Sequence, residues 1–400
     1  MARTIEVQMR KLVTFLALAL AACGGGTTAI SDAAVAFDAA TPDAALAQVL
    51  FRAHVPESTP PADSVYITGD FQGWDPASPQ HRFTKVAPLV HELTLAFAPG
   101  TQLQFKLTRG SLATVEKGGR GEEIQNRTFE VLEATTFDLT VGSWADISPS
   151  TITGDVTTIS VPSFLGGRRV WVYLPPGYHE ASARYPVLYM FDGQNVFDRI
   201  TSFVGEWKVD ETLQQLIPAG EVAPLIVVAV DHGGTQRINE YTPWADDTGQ
   251  GGGGDAHLDA FADVLVPYID AHYRTLTGPT HTGIGGASLG GLMTLYAMYA
   301  RPDVFGLGAA LSSSIWWDDL HVVDYAAGSS KPPAQVWMDM GTDEYASAIP
   351  DLRAMRDAMV AQGFVLGEDL KVVEDPGAAH NEAAWSRRFP DVVRYLFPPN

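Results

Sequence analysis

Between residues 282 and 302 the chain runs Thr282-Gly283-Ile284-Gly285, then Gly286-Ala287-Ser288-Leu289-Gly290-Gly291, then Leu292, Met293, Leu295, Tyr296 and Met298 before Arg301-Pro302. The first piece reads as a short buried strand. The last, with apolar residues at three-to-four spacing and a terminating proline, reads as a helix. The joint fits G-x-S-x-G, a turn that lifts a serine off the end of a strand. A residue held there at a strained backbone angle leaves no space for Cβ atoms two positions to either side, so the glycines are a steric requirement. A serine alcohol is a weak nucleophile until a base takes its proton, so a chemically competent Ser288 requires an imidazole and an orienting carboxylate further along the chain.

The surrounding pattern suits such a turn. Over 151–398, continuous apolar runs at 169–174, 186–191, 225–230, 307–311 and 336–340 alternate with helical stretches at 209–217, 255–273, 288–300 and 352–362. Strands without polar alternation belong in a sheet covered on both faces, so this region is expected to be a doubly wound, mostly parallel α/β sheet. Its active site would lie beyond the carboxyl ends of the strands, where Ser288 falls. Gly341-Thr342-Asp343-Glu344 follows one predicted strand, and His380 follows the strand-like Lys371-Val372-Val373-Glu374. The order is serine, acid, histidine. Asp343 and Glu344 are adjacent, and either reaches the imidazole on spacing alone. His321, the only other histidine beyond Ser288, has no strand ending just before it.

Residues 47–146 read differently. Six short segments at 49–55, 64–68, 91–97, 103–107, 127–131 and 136–141 alternate with period two and are separated by Pro, Gly and Asp turns. They predict an all-β, immunoglobulin-like antiparallel sandwich. Four hundred residues exceed what one core usually organises, which agrees with two modules. Nothing in the first module resembles a catalytic group, so chemistry at Ser288 is expected not to depend on it.

At the amino terminus, Arg10-Lys11 precedes the apolar run 12–20, too brief to span a bilayer, and Leu20-Ala21-Ala22-Cys23 closes it. This resembles the bacterial lipoprotein signal and implies an exported chain acylated on Cys23 and lipid-anchored to the cell envelope. Met9 is the better start of such a signal, which leaves residues 1–8 ahead of it. Residues 24–46 lack Lys and Arg and are expected to be a flexible tether of roughly 25 Å reach. Cys23 is the only cysteine, so an intrachain disulfide or a site of several thiolates is excluded. The formal charge of −21 argues against nucleic acid as a partner. No metal or nucleotide motif is visible, and none of the chemistry expected here needs a cofactor.

Two resemblances follow from quoted residues. Gly69-Asp70-Phe71-Gln72-Gly73-Trp74-Asp75-Pro76, Leu103-Gln104-Phe105-Lys106-Leu107, Glu116 and Asn126-Arg127 resemble the starch-binding modules. Where such modules carry a sugar-stacking tryptophan before the Glu, this chain has Leu112 and Val115. Trp74 is the remaining candidate sugar platform, or else a core residue. In the second module, Leu174-Pro175-Pro176-Gly177-Tyr178, Met190-Phe191-Asp192-Gly193-Gln194-Asn195, Arg237-Ile238-Asn239-Glu240-Tyr241, the serine turn, Gly341-Thr342-Asp343-Glu344 and His380-Asn381-Glu382-Ala383-Ala384-Trp385 resemble the putative-esterase family of α/β-hydrolases. That family includes esterase D, enterobactin and feruloyl esterases and mycolyltransferases. The resemblance implies Ser288 as nucleophile, His380 as base, Glu344 as acid, and an oxyanion hole from the backbone N–H groups of Leu289 and Gln194. Arg237, Glu240, Tyr241 and Trp316 are candidates for the substrate pocket. The implied function is hydrolysis of carbohydrate-linked, phenolic or siderophore-type esters through an acyl-enzyme. The alternatives are acyl transfer to an alcohol and non-catalytic carbohydrate binding.

Overall fold

Period-two alternation buries every second side chain, and in the first half of the chain this builds a two-layered β-structure. A computed structural model describes residues 46–399 apart from Arg120 and Ser148, all within one compact unit, Ala45–Asn400. Cys23 and the stretches expected to form an export signal and a tether, up to residue 45, lie outside the described residues. Nine strands form the amino-terminal part: β1 Ala47–His54, β2 Tyr66–Gly69, β3 Thr84–Ala87, β4 Val90–Phe97, β5 Gln102–Thr108, β6 Glu116–Lys117, β7 Arg127–Glu130, β8 Thr135–Thr140 and β9 Ser143–Trp144. They make a four-stranded sheet ordered β3-β4-β1-β8, a three-stranded sheet β2-β5-β7 and a pair β6-β9. Val49, Phe51 and Ala53 of β1 meet Leu103, Phe105 and Leu107 of β5 in the core, with Phe51 and Phe105 edge to face at 5.5 Å.

The sheet is not wholly antiparallel as expected. β1 pairs antiparallel with β4 but parallel with β8, because the chain crosses between sheets after β7 and brings β8 in beside β1 running the same way. The alternation also breaks at the end of β5, where Lys106 and Thr108 are as buried as the apolar residues between them. Both faces of that strand are covered there.

The second half is an eight-stranded sheet, β10 Asp155–Ser160, β11 Arg169–Leu174, β12 Val187–Met190, β13 Ile226–Val230, β14 Thr282–Ala287, β15 Leu307–Leu311, β16 Gln335–Gly341 and β17 Leu370–Asp375, in the order β10-β11-β13-β12-β14-β15-β16-β17. β10 and β11 are antiparallel to their neighbours, and β13 through β17 run parallel. Helices α1 Val209–Leu216, α2 Gly254–Ala260, α3 Val266–His272, α4 Leu289–Ala300, α5 His321–Gly328, α6 Ala348–Ala361 and α7 Glu382–Leu396 cover it, with a π-helical turn joining α2 to α3. The strand residues divide between two cores. Val187 and Tyr189 of β12 pack with α4 and α6 on one face, while Leu188 and Met190 pack with α1 and α7 on the other. This is the covered, doubly wound sheet that the unbroken apolar runs demanded. Strand order reverses direction around β12 and β14, whose carboxyl ends therefore flank the crevice. Among the described residues no helix is long and apolar enough to cross a membrane.

Candidate active site

Ser288 lies between the end of β14 and the start of α4 at φ 59° and ψ −123°, a region that non-glycine residues rarely adopt. The neighbouring glycines make this possible. A Cβ on Gly286 would stand 3.1 Å from the Cβ of Phe191 and 3.2 Å from the Cα of Gly290, and one on Gly290 would meet the same Phe191 atom at 3.1 Å. The Ser288 amide donates to Leu311 O at 3.1 Å and its carbonyl accepts from Ser314 N at 3.0 Å, which ties the turn to the segment after β15. Its hydroxyl lies 3.3 Å from that of Ser314. Leu289 is the first residue of α4, so its N–H has no acceptor inside the helix.

Gln194 belongs to the 3₁₀ turn Gly193–Asn195 after β12. Asp192, at φ 56°, precedes it and receives two hydrogen bonds of 2.7 Å from Arg237. Burial alone would raise the Asp192 pKa, but the Arg237 guanidinium outweighs it and holds the carboxyl below its ordinary value. The Asp192 amide donates to the hydroxyl of Tyr241 at 3.1 Å, and Tyr241 is 1% exposed. The Gln194 carbonyl accepts from Thr201 Oγ1 at 2.8 Å. Arg237 and Tyr241, named as pocket candidates, are thus the braces of the loop that carries Gln194. Glu240 pairs at 2.7 Å with Arg168, which directly precedes β11.

Glu344 and His380 are brought together. His380 Nδ1 stands 2.8 Å from Glu344 Oε2, so the N–H at Nδ1 donates and Nε2 is left to accept. The other carboxylate oxygen accepts from Ser312 Oγ at 2.6 Å and Gly341 N at 2.7 Å. Burial raises the Glu344 pKa, yet the hydrogen bonds from His380 and Ser312 prevail and keep it below its usual value. Ser312 Oγ in turn accepts from Trp385 Nε1 at 2.8 Å and Arg388 at 2.7 Å, which fills both lone pairs and its single donor. Arg388 also pairs with buried Asp339 at 3.1 Å. Asp343 is exposed, and its amide donates to Ala378 O at 3.0 Å, pinning the His380 loop. Asn381 then caps α7, its side chain accepting from Ala384 N at 3.0 Å.

Sequence reasoning missed Ser312, Ser314, Asp339, Trp385 and Arg388. Their signal was weak but present: three serines directly after an apolar strand, and Trp385 with Arg388 one helical turn apart just beyond His380. Trp316 is half-buried and packs 5.8 Å from Trp317, two residues past Ser314. Trp74 sits neither in the sandwich core nor alone on the surface. Its ring meets Phe203 of the second half edge to face at 5.7 Å.

The profile of the family described as "Putative esterase" matches residues 163–396, more than half of the chain. The chain belongs to the putative esterase family. It is an esterase of α/β-hydrolase fold, a carboxylic ester hydrolase. Among curated relatives, the uncharacterized protein YbbA of Bacillus subtilis (strain 168) is 24% identical over 248 residues, which is 59% of this chain and 94% of YbbA. An alpha-amylase of Niallia circulans is 42% identical over 99 residues, 24% of this chain but only 8% of the amylase. In fold, the esterase is similar to the enterobactin esterase FES from Shigella flexneri crystallised in the presence of 2,3-di-hydroxy-N-benzoyl-glycine. That match has a TM-score of 0.51 at 15% identity and covers 89% of this chain and 95% of the other.

Proposed function

We propose that this esterase cleaves esters through an acyl-enzyme on Ser288, with His380 as general base and Glu344 as the acid that orients it. The observation carrying the reading is the Glu344 carboxylate on His380 Nδ1, joined through Ser312 and the nearby Ser314 to a serine strained at a strand end. Ser288 Oγ bonds to the acyl carbon as His380 Nε2 takes its proton, and the carbonyl electrons move onto oxygen. The N–H groups of Leu289 and Gln194 stabilise that oxyanion, which exists only in the tetrahedral state. Collapse expels the alcohol, protonated by His380, and water repeats the sequence to release the acid. Glu344 stays ionised and stabilises the imidazolium.

For substrate, we infer an aromatic acyl ester of the phenolic or siderophore type, borne on a small molecule or a polysaccharide. Trp316, two residues beyond the Ser314 hydroxyl that touches Ser288, offers an aromatic wall, and the likeness to an enterobactin esterase supports the same class. The decisive experiment compares acetyl, feruloyl and 2,3-dihydroxybenzoyl esters, with and without a sugar acceptor. Aryl esters should be preferred, and Ser288→Ala should lose on the order of 10⁴ or more in turnover. Retention of a tenth of the activity would remove Ser288 from the mechanism. We further propose export and lipid anchoring through Cys23. Cys23→Ser should shift the esterase from the membrane to the soluble fraction, since a tether without acyl chains has little affinity for lipid.

A further inference from the structure

We propose that Lys106 and Lys117, both in strands of the sandwich, are positioning residues for ester hydrolysis. They fix the Ser202-Phe203 segment of the second half and, through it, the turn that carries Gln194. This rests on the reading of the Gln194 N–H as an oxyanion donor. Lys106 Nζ donates to Phe203 O at 3.0 Å and Lys117 Nζ to Ser202 O at 2.9 Å. Both lysine side chains are fully buried, and Lys106 also lies 5.4 Å over the Phe203 ring. Phe203 and its chain neighbours Thr201 and Trp207 are bonded to the Gly193–Asn195 turn three times. Thr201 Oγ1 donates to Gln194 O at 2.8 Å, Phe203 N to Asn195 Oδ1 at 3.4 Å, and Trp207 N to Asn195 O at 2.8 Å. The two carbonyls that the lysines take up lie in the loop between the 3₁₀ turn Gly193–Asn195 and α1, where no ladder supplies a donor.

Stability alone does not account for these residues. Burying an ammonium costs several kcal/mol even after relaxation, and replacing a whole buried ion pair by apolar residues is often neutral or stabilising, although removing one partner alone destabilises. Burial lowers the pKa of both lysines, with the Glu123 carboxylate opposing it. Lys117 has Glu123 as an ion-pair partner, whereas Lys106 has carboxylates only at longer range. A strand position that faces a neighbouring domain would be served as well by Leu or Met, unless what matters is the directed hydrogen bond to a carbonyl. Two adjacent carbonyls, each met by a cation from the sandwich, form such a directed grip on a segment that also bonds to the oxyanion turn.

The test uses the full chain and a small soluble aryl ester. Lys106→Met and Lys117→Met should each lower kcat by about tenfold or more, since losing a whole oxyanion donor is worth roughly 10²–10³ and these changes only loosen one. KM should stay within about twofold and active-site titration at one per chain, while Tm should hold or rise in Lys106→Met and fall in Lys117→Met, which leaves Glu123 without its cation. Thr201→Val breaks the same chain of contacts on the esterase side, so it serves if a lysine variant fails to fold. Because the links lie in series, Lys117→Met combined with Thr201→Val should be no worse than the more impaired single variant. Unchanged kcat in folded lysine variants, a kcat loss in Lys106→Met that merely tracks a falling Tm, or fully additive losses in the double variant would each overturn the proposal. Ser288→Ala is run alongside: its retaining activity would instead overturn the reading of the site.

Discussion

The two halves of this chain use buried polar side chains in opposite ways. In the esterase half the groups at the site close on one another: Glu344 is met by His380, Ser312 and Gly341, and Ser312 by Trp385 and Arg388. In the sandwich, Glu116 is likewise satisfied at home by Leu107 N and Arg127, but Lys106 and Lys117 direct their donors across to Ser202 and Phe203. A self-contained set of partners marks where chemistry is assembled. A buried charge whose partner lies in another module marks where the modules depend on each other. The proposed role of Lys106 and Lys117 runs against the expected independence of turnover from the first module, and the lysine variants decide between them.

The sharpest probe of the self-contained set is the acid. Glu344→Gln should cost on the order of 10³–10⁴ in kcat, because an amide facing Nδ1 no longer fixes the tautomer or stabilises the imidazolium. Asp343→Asn should stay within a few-fold, since its backbone N–H rather than its carboxylate holds the His380 loop. Parallel assays of the two variants decide it, and the reverse ranking would move the acid to Asp343.

Arg237→Ala tests whether the proposed oxyanion turn is braced from within its own half. Removing the guanidinium leaves the Asp192 carboxylate half-enclosed without its cation, which should lower stability by about 2–3 kcal/mol. Thermal unfolding should show the loss, and kcat should fall with it. A variant as stable as the wild type would mean that the turn is held from the sandwich side alone.

How far the sequence disclosed all this follows the same division. The apolar runs of β11 and β15 and the helix after Ser288 were legible because period and burial agree there. Ser288, Glu344 and His380 were legible as candidates because each follows a strand end, in the order serine, acid, histidine, and the Glu344–His380 contact was within what that order allows. α7 was not foreseen, and it carries Pro390 in its interior, a residue that argues against a helix. The two-residue strands β6 and β9 are too short to show any period. The roles of Arg237 and Tyr241 escaped because a brace and a pocket wall look alike until a partner, here Asp192, is placed in space. Lys106 gave only a lysine in an alternating strand, a residue that normally faces water.

Glu382 lies where the halves meet the site. It is 5% exposed, two residues after His380, with Asn195 Nδ2 at 3.4 Å from its carboxyl. Burial, with the negative charge of Asp192 adding to it, pushes its pKa up to about 8 from an ordinary 4.5. The folded state therefore holds a proton that the unfolded state has lost between those values. Stability from this group is fully present below about pH 4.5 and is lost as pH rises through about 8. Glu382→Gln mimics the neutral acid, so it should match the wild type near pH 5 and exceed its Tm near pH 9. Parallel Tm curves from pH 5 to 9 would show that the carboxyl is not buried in this way.

The smallest effect expected is at Trp74, and it bears on what the sandwich is for. A sugar platform needs an open aromatic face, whereas the Trp74 ring is half-buried with its neighbour Phe203 edge to face at 5.7 Å. Phe203 is the same residue whose carbonyl Lys106 holds, so the tryptophan and the lysine meet one segment of the esterase half. Trp74→Ala should therefore act on the joint between modules. An aromatic pair of this geometry is worth about 0.5–1.5 kcal/mol beyond its buried area, so Tm should drop by a few degrees and kcat by less than the lysine variants show. Retention on immobilised starch should be equal for variant and wild type. Clear binding of the wild type to starch, lost in Trp74→Ala, would instead restore the tryptophan as a carbohydrate contact, and the resemblance to starch-binding modules would then extend from their fold to their ligand.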